Sequence, residues 1–124
     1  MLLHKDLTDR VLASAIEVHN ALGPGLLESA YGECLCVEFS ERGIAFEREV
    51  PLPVAYKGRK LNCGYRMDFV VEKSVVLELK SVEEVSVIHE AQLLTYLRLS
   101  GLRVGLLINF NVGKLKDGLR RRVV

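Results

Sequence analysis

The chain has 124 residues, 49% of them apolar and 27% charged, which predicts one folded domain spanning residues 1–124 and excludes an intrinsically disordered chain. No apolar run approaches the roughly 18 residues that a membrane helix requires, and charged residues interrupt the N-terminus before a signal peptide could form, so we expect a cytoplasmic protein. The net charge of +1 is unevenly distributed, because residues 1–50 carry 4 Lys/Arg against 9 Asp/Glu and residues 51–124 carry 13 Lys/Arg against 7 Asp/Glu. An anionic partner should therefore approach the second half of the chain.

Two helices are predicted in the acidic half. Apolar residues recur at steps of three and four from Leu7 to Leu22, and the glycines and proline at residues 23–25 must end that helix. A second helix is predicted from Leu26 to Gly43, since glycine suits the left-handed conformation that closes many helices.

An alternating pattern then predicts three antiparallel strands. The first runs from Phe46 to Tyr56, and the other two cover residues 61–71 and 75–82 around a turn. Pro51 and Pro53 remove two N–H donors from the same side of the first strand, so that side should be an edge of the sheet.

Residues 75–110 are predicted to form a strand–helix–strand crossover. Ser86 should cap a helix over residues 87–100 that ends at Gly101, and residues 103–110 form a short buried strand. A crossover leaves its two strands parallel, so the last strand should lie beside the third, away from the proline edge. The predicted fold is therefore α/β, with a mixed four-stranded sheet of three antiparallel strands and one parallel strand, flanked by helices. The basic tail from Lys114 is either a further strand or irregular.

The chemically informative residues lie on the second and third strands. If the hairpin is centred on Lys73, Asp68 and Glu78 face each other directly, and two opposed carboxylates repel unless a cation lies between them. Mg²⁺ and Mn²⁺ are hard ions that accept carboxylates and leave positions open for phosphate oxygens. Lys80 falls on the same face as Glu78, where it could neutralise charge on a phosphate. An alternative stays open, in which Glu78 and Lys80 are ordinary exposed strand residues and Asp68 pairs with Arg66 or Lys80.

Two sequence signals together resemble a known family. The order of elements, with Asp68 and then Glu78-Leu79-Lys80, is similar to the PD-(D/E)XK nuclease superfamily, and the stretch from Gly25 to Tyr31 matches the signature of the small GxxExxY proteins classed within it. The resemblance implies a restriction-endonuclease-like α-β-β-β-α-β core. Met67 stands where the superfamily's namesake proline would precede Asp68. Gly25 and Tyr31 themselves are interpreted as shaping the turn and packing the second helix.

The resemblance also implies roles for individual residues. The implied catalytic residues are Asp68, Glu78, Lys80 and Glu28. The implied metal ligands for Mg²⁺ or Mn²⁺ are Asp68, Glu78, Glu28 and the Leu79 carbonyl. The implied substrate-binding residues are Gln92 and Tyr96, a Gln-x-x-x-Tyr pair whose spacing of four places both on one helix face with donors for a phosphate.

The leading hypothesis is a metal-dependent nuclease acting on nucleic acid, with DNA expected before RNA, although no residue selects between them. Basic side chains could bind the phosphate backbone without reading its sequence: Arg66, Lys57, Arg59, Lys60 and residues 120–122. The alternative is a non-catalytic nucleic-acid-binding or protein-assembly module with a nuclease-like fold, favoured by the modest positive charge and the lack of an evident aromatic platform for bases. A homodimer or a partner protein is open in either case.

Overall fold

In the computed structural model, which describes residues 2–124, three helices flank a mixed sheet. The helices are α1 (Lys5–Leu22), α2 (Glu28–Glu41) and α3 (Val87–Ser100). The strands are β1 (Phe46–Pro51), β2 (Val54–Tyr56), β3 (Arg59–Leu61), β4 (Arg66–Val71), β5 (Val75–Lys80), β6 (Val104–Asn109) and β7 (Leu119–Val123). Among residues 2–124, none of the helices combines the length and apolar character of a membrane span.

The main sheet has the strand order β1-β4-β5-β6-β7. Strands β1, β4 and β5 are antiparallel, and β6 is parallel to β5 on the side away from β1, which confirms the predicted α/β topology and the proline edge. The sheet has five strands instead of the predicted four, because the basic tail, left open as a further strand or irregular, forms β7 antiparallel to β6. Strand β6 is buried along its whole length, so its outer backbone groups need hydrogen-bond partners that β7 supplies.

The prediction of one strand from Phe46 to Tyr56 is also wrong. Strand β1 ends at Pro51, and β2 pairs with β3 in a separate two-stranded sheet. Proline lacks the N–H that would continue the ladder, and Lys57 and Gly58, with φ of 49° and 75°, form a tight two-residue turn that folds β2 back onto β3.

The two faces of the main sheet bury separate apolar clusters. Helices α1 and α2 cover one face, where Val11 and Phe39 pack with Phe69 and Leu77. Helix α3 covers the other face, where its leucines pack against β4, β5 and β6. The start of β4 and the end of β5, which adjoin because the two strands are antiparallel, lie between α2 on one face and α3 on the other.

The predicted caps of α3 are confirmed. The Ser86 hydroxyl accepts a hydrogen bond from the His89 N–H at 3.3 Å, and the His89 Nδ1 atom accepts one from the Ser86 N–H at 3.1 Å. Gly101 ends the helix in the left-handed conformation. These contacts fix where α3 begins relative to β5.

Candidate active site

The register of β4 and β5 brings Asp68 opposite Glu78, as predicted. The three pairs of the ladder are Phe69–Leu77, Val70–Val76 and Val71–Val75. Beyond these pairs, the carboxylates of Asp68 and Glu78 replace backbone carbonyls as the hydrogen-bond acceptors between the two strands. The Asp68 N–H donates to the Glu78 Oε2 atom at 2.6 Å, and the Leu79 N–H donates to the Asp68 Oδ2 atom at 2.8 Å. Each acid is thus held against the backbone of the other strand.

The backbone is also distorted on the other side of Asp68. Glu49 of β1 stands opposite Asp68, between the pairs Arg48–Phe69 and Val50–Met67. It adopts a φ of 53°, a left-handed conformation that costs a non-glycine residue about 1 kcal/mol or more. Backbone distortions of this kind occur both at sheet edges and beside functional sites, and Glu49 lies on the edge strand opposite Asp68.

Burial raises the pKa of both acids, and the charge of Asp68 raises the pKa of Glu78 further. Glu78 is 5% exposed, and its burial together with the charge of Asp68 raises its pKa to about 8. Burial likewise raises the pKa of Asp68, while the charge of Lys80 lowers the pKa of both acids. The alternative in which Glu78 is an ordinary exposed residue is therefore wrong.

Lys80 is held at the end of β5 by its backbone and by the chain that follows. Its carbonyl accepts a hydrogen bond from the Phe110 N–H at 2.9 Å, and the buried Asn109 side chain donates to the Val82 carbonyl at 2.8 Å. Within residues 2–124, the Lys80 ammonium forms no salt bridge, and Arg66 pairs with Glu49 at 3.7 Å instead of with Asp68. The lysine is therefore positioned beside the acids without being bound to either.

A network at the start of α2 places Glu28. The Tyr31 hydroxyl donates to the Gly23 carbonyl at 2.6 Å and accepts from the Leu26 N–H at 3.2 Å, so it closes the turn between the two helices. The Ser81 hydroxyl donates to the Leu26 carbonyl at 2.5 Å and ties this turn to the end of β5. The interpretation of Tyr31 as a packing residue is confirmed, since it is fully buried.

Glu28, the first residue of α2, lies in a pocket of about 500 Å³ together with Asp68 and Leu79. Its charge contributes to the raised pKa of both Asp68 and Glu78. The structure therefore brings Glu28 to the same site as the acid pair, from the opposite side of the pocket.

The predicted pair on α3 borders the acids from the other face of the sheet. Tyr96 is 5% exposed, and burial together with the charges of Glu78 and Asp68 raises its pKa. Gln92 lies one turn earlier and lines a groove with Tyr96 and Tyr65. Tyr96 is thus near the acid pair, and Gln92 shares the groove beside Tyr96.

Comparison with known proteins supplies the family. The model of the PD-(D/E)XK nuclease superfamily matches residues 5–122. The chain belongs to the PD-(D/E)XK nuclease superfamily. No protein with a curated description and no solved structure matches it. Membership of the narrower GxxExxY group stays a prediction.

PD-(D/E)XK nucleases typically use divalent metal ions, and the donor chemistry here fits such an ion in part. Burial disfavours the ionised form of both carboxyls, which a nearby cation would stabilise, and carboxylate oxygens are ligands that Mg²⁺ and Mn²⁺ prefer. However, residues 2–124 contain no group of three or more His, Cys, Asp or Glu side chains gathered to hold a metal. Asp68 and Glu78 are joined through the backbone N–H groups of the opposite strands, and Glu28 lines the same pocket as Asp68.

Sequence reasoning missed Arg48 as a residue of this PD-(D/E)XK site. Arg48 lines the same pocket as Asp68, and its charge lowers the Asp68 pKa. Its guanidinium donates to the Glu33 Oε1 atom at 2.7 Å and lies 5.7 Å from the centre of the Phe69 ring. A Cβ atom on Gly32 would stand 2.6 Å from the Arg48 Nη2 atom. The available signal in the sequence was Gly32, inside the predicted second helix. A glycine costs a helix about 1 kcal/mol relative to alanine, so its presence suggests that another group approaches the backbone closely there.

Proposed function

We propose that this chain is a metal-dependent nuclease that hydrolyses phosphodiester bonds, with DNA as the expected polymer, at the site of Asp68, Glu78 and Lys80. The observation that carries the proposal is the buried acid pair, in which each carboxylate accepts the N–H of the opposite strand and both pKa values are raised. Two opposed carboxylates destabilise a sheet, so a purely structural role would favour apolar residues at these positions. Superfamily membership supports the same function.

The residues that would hold the metal are Asp68 and Glu78, with Glu28 and the Leu79 carbonyl as the proposed completing ligands. A bound Mg²⁺ or Mn²⁺ would activate water and polarise the scissile phosphate. The raised pKa values mean that metal binding releases protons from the acid pair, so binding should strengthen as pH rises.

The other roles belong to the basic and polar side chains. Lys80 would place its ammonium beside the reacting phosphate, where it stabilises the negative charge that builds up during attack. Arg48 would bind a phosphate oxygen from the α2 side of the pocket, because its guanidinium carries donors beyond the one directed at Glu33. Gln92 and Tyr96 would donate hydrogen bonds to the substrate from α3.

A non-catalytic nucleic-acid-binding module is the second candidate. The observation that favours it is that residues 2–124 contain no cluster of three metal-ligating side chains. The two candidates differ in what Lys80 does, since an enzyme needs its charge for turnover and a binding module needs it at most for affinity.

The test begins with calorimetric titration of Mn²⁺ into the native protein and into Asp68→Asn, Glu78→Gln and Lys80→Ala. Exposed Glu83→Gln and Lys73→Ala serve as matched controls. Cleavage is then measured on labelled single strands, duplexes, flaps and junctions. We expect both acid variants to lose Mn²⁺ binding, and Lys80→Ala to keep it while losing cleavage by about 100-fold or more. If the native protein binds no Mn²⁺ with or without oligonucleotide, the nuclease proposal is wrong.

A further inference from the structure

The β2–β3 hairpin, residues 54–61, contributes almost nothing to the core. Every residue in it is exposed except Val54, which is half-buried, and the hairpin forms a sheet of its own. A lone two-stranded hairpin is only marginally stable in water, so burial of apolar area does not explain it. Its side chains include Lys57, Arg59 and Lys60 and no acid.

The tip of this hairpin is nevertheless defined. Three residue pairs join its strands, and the turn at Lys57 and Gly58 has both residues in the left-handed conformation, which matches the twist of the strands. The Lys57 ammonium lies 5.5 Å from the centre of the Tyr56 ring, which is 61% exposed. The hairpin therefore presents three cations on a short, ordered arm.

The base of the arm borders a groove on α3 that Tyr96 lines. Val54 and Tyr65 line this groove with Gln92, Thr95 and Tyr96, around about 700 Å³ of empty space. The Leu52 N–H donates to the Tyr65 carbonyl at 2.9 Å and closes the base of the arm.

Tyr65 provides an aromatic surface that the sequence did not reveal. The residue is 46% exposed, and its ring meets the Tyr96 ring edge-on, with 6.2 Å between the ring centres. Tyr96 in turn is close enough to Glu78 and Asp68 for their charges to raise its pKa. An exposed aromatic ring thus stands between the basic arm and the acids.

We propose that the arm and the groove bind single-stranded nucleic acid, with backbone phosphates on the arm and an unpaired base against Tyr65. The inference rests on the proposed nuclease function and names its substrate class. Basic side chains beside an aromatic ring are the features that bind single strands without reading sequence. A duplex keeps its bases stacked inside, where Tyr65 cannot reach them, whereas an unpaired base exposes its face to an aromatic ring.

The test measures binding without turnover, using the native protein in EDTA and fluorescein-labelled 20-mers of dT and of rU. The comparison oligonucleotides are a duplex of the same length and an abasic 20-mer. The variants are Tyr65→Ala, Tyr65→Phe and the double variant Lys57→Ala/Arg59→Ala, with exposed Lys114→Ala/Lys116→Ala as the control of equal charge change.

We expect Tyr65→Ala to weaken binding of both single strands about 10-fold and to leave the abasic oligomer unaffected, while Tyr65→Phe binds as the native protein does. The arm double variant should weaken binding to every oligomer and reduce the slope of log affinity against log salt by about 1.4, since each phosphate contact to a single strand contributes about 0.7. The control should change the slope by less than half of that amount. Binding of dT but not rU would narrow the substrate to DNA within the same proposal.

Three results would overturn the inference: no binding by the native protein, tighter binding of the duplex than of the single strands, or unchanged binding by Tyr65→Ala with a native thermal transition. Its failure is separable from that of the nuclease proposal. Cleavage that requires Asp68 but is indifferent to Tyr65 and the arm would refute the inference alone. Single-strand binding that depends on Tyr65, in a protein that binds no Mn²⁺, would refute catalysis alone.

Discussion

Replacing Glu78 by glutamine should remove most of the pH dependence of folding stability at this site. In the native protein the pKa of Glu78 rises from an ordinary 4.5 to about 8, chiefly through burial and then through the charge of Asp68. Between these two values the folded state binds more protons than the unfolded state. The free energy of unfolding therefore falls as pH rises through this window and levels off above about pH 8.

The size of the effect follows from the same two values. Moving the ionisation of a carboxyl from 4.5 to about 8 costs on the order of 5 kcal/mol, at about 1.4 kcal/mol for each pH unit. Roughly half of this loss, about 2 to 3 kcal/mol, falls between pH 6 and pH 9. For a chain of this length it corresponds to a fall of about 10 °C in Tm.

The assay is urea unfolding and thermal unfolding in EDTA at pH 6, 7, 8 and 9. The Glu78→Gln side chain can still accept the hydrogen bond from the Asp68 N–H but cannot ionise. The free energy of unfolding of this variant should therefore change little between pH 6 and pH 9, apart from the smaller pH dependence that Asp68 contributes. Exposed Glu83→Gln should follow the native curve. In a parallel series without EDTA at pH 8 and above, Mn²⁺ should raise the Tm of the native protein and leave that of Glu78→Gln unchanged, because the cation compensates the buried charge.

Two outcomes would refute this reasoning. Native stability that stays level or rises from pH 6 to pH 9 would mean that Glu78 is ionised in the folded protein without cost. A Glu78→Gln curve that falls as steeply as the native one would assign the pH dependence to other groups.

Two further predictions concern the support around the acids. Gly32→Ala should displace the Arg48 guanidinium and weaken substrate binding about 10-fold in a filter-binding assay. The control Gly113→Ala, where an added Cβ meets nothing within 4 Å, should bind as the native protein does. Equal affinities of the two variants would contradict the role of Arg48. Tyr31→Phe removes the hydrogen bonds that close the turn from Gly23 to Leu26, so urea unfolding should show a loss of about 1 to 3 kcal/mol, and no loss would mean that ring packing alone holds the turn.

Local patterns in the sequence determined the elements and the pairing of the acids. The spacing of apolar residues predicted α1, and the capping residues Ser86 and Gly101 predicted the ends of α3, because caps depend on neighbouring residues. The register of Asp68 against Glu78 followed from a short turn, which fixes the pairing on either side of it.

Strand partners at the margins of the sheet were less predictable. The tail reads as basic and polar, and only the unsatisfied edge of β6 made it a strand. Strand β1 ends at Pro51 because residues 54–56 pair with β3 instead of continuing β1 in the main sheet. Alternation of side chains predicts a strand but does not show which strand it pairs with.

The tertiary structure alone decided which distant residues share the site. Arg48 lines the pocket of Asp68 where Gly32, on another element, leaves room for its guanidinium, and Tyr65 packs against Tyr96 of α3. Sequence encodes such contacts only through packing between elements far apart in the chain. The carboxylates and the lysine could be identified from their spacing, whereas the depth of burial that raises the Glu78 pKa depends on both helical layers closing over the sheet.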